Sequence, residues 1–191
     1  MYIIITLMAD VNDHGYADCD GTTLTNLVFD PVAEGHQLSD YQDTCKFSHA
    51  TNFTVKGCTI TGGTENAIDC NRFCENGLVV DTVLIGVDQA AIVVKGGCKN
   101  IVFKDVAIAG VKGWCDVLLD DWSDQSQLPS SVTLDNVKRL DGKTVRVVCG
   151  RATNLTIING NCKKMFWLSI GLHVYNWAKG LAIKIGLIKS P

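Results

Sequence analysis

Between Trp114 and Trp122 the sequence places three carboxylates, Asp116, Asp120 and Asp121. Two carboxyl groups on either side of a glycosidic bond can serve as acid and base. Indole rings offer flat apolar faces on which a sugar can stack. Asp116, Asp120 and Asp121 are therefore the catalytic candidates, and Trp114 and Trp122 the binding candidates. A plainer reading competes: Asp ends strands and Trp caps exposed edges. That reading is preferred, so no catalytic set is assigned.

Other chemistry-bearing residues are scattered. His14, His36, His49 and His173 share no spacing, and Cys70-x3-Cys74 is half a zinc site with no second pair following it. No metal and no cofactor are expected. The nine cysteines are an odd number and match no small secreted disulfide framework. They read as buried thiols of a protein made in a reducing cytoplasm.

Composition narrows the classes. The chain has 191 residues, 47% hydrophobic and 19% charged, with three Pro, which excludes intrinsic disorder. Its net charge of −3 and lack of a basic cluster argue against nucleic acid as a partner. No apolar run approaches the ~18–20 residues that span a bilayer, so no membrane partner is expected. Residues 2–8 are apolar but lack a cationic flank and a cleavage site, so no signal peptide is expected.

The elements that would hold such residues repeat. A small residue or Asn, then apolar–any–apolar, then usually a charge, recurs along the chain. The first apolar column reads Ile3, Leu27, Phe53, Leu78, Ile101, Val132, Leu155 and Leu181. The second reads Ile5, Phe29, Val55, Val80, Phe103, Leu134, Ile157 and Ile183. A second strand family, at 68–70, 92–94, 117–119, 145–147 and 166–168, has the same period of about 25 residues.

Alternation of period two means strands, and the period leaves room for at least two per repeat. β-branched residues dominate and no long 3.6-residue stripe exists, so helical repeats fail. The expected fold is all-β: a single-stranded right-handed parallel β-helix of about seven to eight coils, ~25 residues each. It forms a single domain over 1–191, with loop insertions near 33–50 and 121–131.

Two further columns support stacking. Residues 30, 56, 81, 104 and 135 read Asp, Lys, Asp, Lys, Asp, the alternation that lateral neighbours favour. The column before the strands is mostly Asn or Gly, including Asn26, Asn52, Gly77, Asn100, Asn154 and Gly180. These types tolerate left-handed bends, and stacked Asn side chains can bond from coil to coil. The same column makes the acceptor patterns at Asn52 and Asn154 read as turn chemistry, not glycosylation sites.

In this asparagine column the sequence resembles the right-handed parallel β-helices of the pectin-lyase-like superfamily. That resemblance implies a fold shared by polysaccharide lyases, glycoside hydrolases and phage tailspikes, and the fold does not choose among them. The hydrolase motifs Asn-Thr-Asp, Asp-Asp, Gly-His-Gly and Arg-Ile-Lys are not present as a set. Asp120-Asp121 stands far from Gly35-His36, which Gln37 follows.

Two features favour assembly. Strand pattern runs close to both ends with no helix to cap it, so neighbouring chains are expected there. In the second strand family the outward column is Asp69, Val93, Leu118, Arg146 and Trp167, and Val93, Leu118 and Trp167 make it apolar. Such a face suggests an interface, although the chain's own loops are long enough to cover it. The expectation is a non-enzymatic virion protein, a phage-type spike or capsid-decorating β-helix. It would assemble as a homotrimer with other virion proteins in the host cytoplasm. The alternative is a polysaccharide lyase, glycoside hydrolase or carbohydrate-binding β-helix using the Trp114–Trp122 segment, with a surface polysaccharide as its external ligand.

Overall fold

The computed structural model describes residues 21–30, 43–61, 64–120, 128–149 and 154–166. The chain first runs through β1 (Thr23–Thr25), β2 (Val28–Phe29) and β3 (Cys45–Ser48). It then repeats the series as β4 (Thr54–Lys56), β5 (Thr59–Thr61), β6 (Asn66–Asn71), β7 (Glu75–Val80), β8 (Val83–Ile85) and β9 (Ala90–Lys95). The series continues with β10 (Lys99–Lys104), β11 (Ala107–Ala109), β12 (Val117–Asp120), β13 (Ser130–Asp135), β14 (Lys138–Arg139) and β15 (Val145–Cys149). It ends in β16 (Thr156–Ile158) and β17 (Cys162–Phe166), with no helix among the described residues.

Up to β16 every third strand returns to the same sheet, and β17 then joins the third sheet beside β15. The first sheet is β1-β4-β7-β10-β13-β16, the second β14-β11-β8-β5-β2 and the third β17-β15-β12-β9-β6-β3. All named pairings are parallel. This is an all-β architecture consistent with a parallel β-solenoid. The inward residues of the three sheets form one core, in which Phe47, Phe53, Ile60, Leu84, Phe103, Ile108 and Leu134 are fully buried.

The middle sheet is an addition to the two strand families read from the sequence. A two-residue corner joins β1, β4, β7, β10 and β13 to the middle-sheet strand that follows each, opening on a residue of positive φ. That residue is Asn26 (54°), Gly57 (64°), Asp81 (51°), Asp105 (53°) or Asn136 (52°); Asn159 (52°) holds the same place after β16, which leads directly to β17. Asn, Asp and Gly tolerate this conformation at the lowest cost, which is why they fill the column.

In the first strand family the register differs from the predicted columns at two places. Leu24, not Leu27 or Phe29, pairs with Val55 in the first sheet, while Phe29 pairs with Ile60 in the second. In β7 the core positions are Gly77 and Val79, not Leu78 and Val80, because Val79 stands opposite Val55 and Phe103. A Cβ on Gly77 would run into the Phe53 ring, so that ring's bulk selects the slipped register.

The alternating charge column is corrected by the same register. Lys56 and Lys104 both flank Val80, and Asp81 lies in a corner, so only Lys104 and Asp135 stand side by side as opposite charges. The asparagine ladder exists with Asn76 in place of Gly77. Asn76 Nδ2 donates to Asn52 Oδ1 at 3.3 Å, and Asn100 Nδ2 donates to Asn76 Oδ1 at 3.1 Å. All three carry positive φ, at 54°, 56° and 53°. Asn26 belongs to the other corner.

In the third sheet, Val117 and Leu119 pair with Ile92 and Val94 as predicted. The next copy is shifted by two residues: Val147 and Cys149, not Val145 and Val147, stand opposite Val117 and Leu119. The outward column therefore continues from Leu118 to Val148 and Met165 instead of Arg146 and Trp167. Residues 45–48, expected within a loop insertion, form β3.

Candidate functional site

Asp116 and Trp114 are two residues apart but face opposite environments. Asp116 is fully buried at the corner before β12, where its backbone carbonyl accepts from both Ala91 N and Ile92 N. Its carboxylate is saturated. Oδ1 accepts from Arg139 Nη1 at 2.6 Å and Arg146 Nη2 at 3.0 Å, and Oδ2 from Arg146 N at 2.8 Å and Nε at 3.1 Å. Arg139 also grips Asp141 through two bonds of 3.0 and 2.8 Å, and this holds the Asp141 carboxyl well below the usual range. A carboxylate so occupied fastens the corner of one lap to strands β14 and β15 of the next. It has no lone pair aimed at solvent for acid–base work.

Trp114 lies on the outside, half exposed, in an open cleft over the outer face of the third sheet. Three successive laps build the cleft: Glu65 and Asn66, then Gln89, Ala90, Val93 and Lys95, then Trp114, Cys115 and Leu118. Gly113 permits the arrangement, since a Cβ there would collide with the backbone carbonyl of Gln89. Asn66 fixes the neighbouring corner by donating to Asp43 Oδ1 at 2.8 Å and accepting from Ala90 N at 3.2 Å.

A polar cluster adjoins the cleft. Asp69 is fully buried on the outer face of β6, with Lys95 Nζ 3.0 Å and Lys46 Nζ 3.4 Å from Oδ2. Neither approach is aligned as a hydrogen bond, and both Asp69 oxygens lack one. Burial raises the Asp69 pKa to about 6 against the pull of Lys95, and Asp43 adds to the rise. Glu65 is also raised, by burial first and then by Asp43, with Lys95 and Lys46 opposing. Perturbed carboxyls beside a cleft are a recognised mark of a functional site.

The chain matches no protein-family model, no curated protein and no solved structure.

Of the sequence candidates, the structure brings Trp114 to the cleft and takes Asp116 away from it. Asp120 ends β12 opposite Lys95. Asp121, Trp122 and Trp167 lie outside the described residues. Val93 and Leu118 do occupy the outer face, but they are only 2% and 7% exposed and cluster with Ala90, Cys115 and Val148. They form a small second core and the cleft floor, with Met165 packed against it.

Glu65, Asn66, Gln89 and Lys95 were missed by sequence reasoning. Their signal was positional: Glu65, Gln89 and Gly113 recur every 24 residues just before third-sheet strands. Among the described residues no group of three or more His, Cys, Asp or Glu could hold a metal ion. No helix there is long and apolar enough to cross a membrane.

Proposed function

We propose that the protein is a non-enzymatic right-handed β-helix of the pectin-lyase-like, tailspike type, a virion component whose Trp114 cleft holds a surface saccharide. The observation that carries this reading is the half-exposed Trp114 ring in a cleft shared with Glu65, Asn66, Gln89 and Lys95. An indole face packs against the C–H face of a sugar, while carboxylate and amide groups suit its hydroxyls. The saturated state of Asp116 supports binding without turnover. The virion setting rests on the fold-level resemblance, and homotrimer assembly belongs to the same proposal. Since Val93 and Leu118 are covered within the chain, such a contact would use other surface of the solenoid.

The test is a glycan array probed with the purified protein and with Trp114→Ala. At least one oligosaccharide series should bind, and the variant should bind it at least tenfold more weakly. Absence of binding to every glycan, or an unaffected variant, refutes the reading. Release of unsaturated or reducing sugar ends from a polysaccharide would show the non-enzymatic part to be wrong. Mass measurement in solution tests the trimer.

A further inference from the structure

We propose that the Lys95–Asp69 pair sets the ligand class of the Trp114 cleft, so that it takes uncharged saccharides and rejects anionic ones. This inference rests on the saccharide reading above and adds a specificity-determining pair to it. Lys95 is the cationic residue of the cleft lining, and its ammonium lies 3.0 Å from the Asp69 carboxylate. Asp69 is completely buried and has no hydrogen bond on either oxygen, so its charge depends on the two lysines beside it.

The charges around that carboxylate come from several elements. Lys46 reaches it from β3, Lys95 from β9, and Asp43 and Glu65 stand on the segments leading into β3 and β6. Lys46 is shared with Asp43, at 2.9 Å. Among the described residues three carboxyl groups thus face two ammonium groups, and no cationic charge of this cluster is left over for a ligand. A uronate or sialate would have to draw Lys95 from Asp69 and leave a buried carboxylate with weaker compensation, a costly exchange. It would also approach Glu65 as a like charge. A neutral hexose meets neither obstacle, and its hydroxyls can use the Glu65 carboxylate and the Gln89 amide.

The experiment titrates wild type, Asp69→Asn and the double variant Asp69→Asn/Lys95→Met at pH 7.5. The probes are neutral gluco-, galacto- and N-acetylglucosamine oligomers and their uronate- or sialate-bearing counterparts. Wild type should prefer a neutral series by at least tenfold. Asp69→Asn, which frees the ammonium without changing side-chain shape, should narrow that preference at least threefold. The double variant, which has neither charge, should keep the neutral preference and shows whether the change in the single variant belongs to Lys95. Equal or tighter wild-type binding of the anionic series overturns this proposal and leaves saccharide binding standing. An unchanged ratio in folded Asp69→Asn also overturns it. If wild type binds no sugar at all, both proposals fall.

Discussion

The Phe53 ring lies over Gly77 on the adjacent strand, in the space that a side chain at Gly77 would occupy. Phe53 also stacks on Phe47 of the third sheet, with ring centroids 4.3 Å apart and planes 15° from parallel. One large residue and one absent side chain fill two neighbouring layers of the core together. Gly77→Ala should therefore destabilise the fold by about 1–3 kcal/mol, the usual cost of overpacking. Gly77→Ala combined with Phe53→Leu should recover part of that loss in a chemical denaturation series. Equal stability of wild type and Gly77→Ala would show that the ring does not hold this position.

Asp116 joins two arginines from later strands at a fully buried point. Asp116→Ala should cost about 3–5 kcal/mol, since it removes the buried carboxylate that both arginines share, leaving Arg139 with Asp141 alone and Arg146 without its main partner. If sugar binding is measurable, its affinity should fall only as far as the folded fraction falls. A selective loss of binding in folded Asp116→Asn would return this residue to the ligand site.

Asp69 gives stability a dependence on pH that can be signed. Its folded pKa, raised to about 6, lies above the ordinary 3.8, so the native state holds this proton more tightly than the unfolded chain. The contribution is favourable below the unfolded value and is lost as pH rises through about 6, a swing on the order of 3 kcal/mol. Asp69→Asn should remove it. The stability difference between variant and wild type should then shift in the variant's favour between pH 4 and 7. A difference flat across that range would contradict the burial of this carboxylate.

Thiol chemistry tests the core. Cys45, Cys58, Cys70, Cys74, Cys98, Cys115 and Cys149 are buried thiols, and Cys162 is partly exposed. Burial pushes Cys45 and Cys115 up to about 12, which makes thiolate scarce near neutral pH. Among these eight, an aromatic disulfide reagent should label Cys162 first, and the others only as denaturant opens the fold. Cys74 and Cys98 stand side by side just before β7 and β10, since Glu75 pairs with Lys99, and each thiol donates to a backbone carbonyl, Cys74 Sγ to Asn71 O at 3.3 Å and Cys98 Sγ to Cys70 O at 3.4 Å. Rapid labelling of both in the native protein would mean that this part of the core is open.

Much of the first and third sheets could be read from the sequence, because strands such as β13 carry apolar residues on alternate positions and a polar one between, Val132 and Leu134 flanking Thr133. The second sheet could not, for a physical reason. Its strands have only two or three residues and follow the first sheet after a two-residue corner. They therefore looked like part of the same repeat. The trace they leave is a fixed spacing of five: Leu24 to Phe29, Val55 to Ile60, Val79 to Leu84 and Phe103 to Ile108. Reading Phe29 as a first-sheet residue misplaced that copy, and with it Asp30 in the charge column. The slip at Leu78 was hidden because Gly77 carries no apolar side chain to announce a core position. The cleft was partly legible through Trp114. Its polar groups come from three different laps, and their proximity exists only once the register is fixed.

The distance along the chain between stacked partners is not constant. Leu24 to Val55 and Phe103 to Leu134 each take 31 residues, while Val55 to Val79 and Val79 to Phe103 take 24. The surplus falls at different corners, before β3 in one case and after β12 in the other. Strand pairing on both sides of each detour is preserved. The scaffold thus tolerates excursions at more than one vertex without losing alignment. A lineage built on it can exchange those excursions, and whatever they contact, while the stacked frame stays the same.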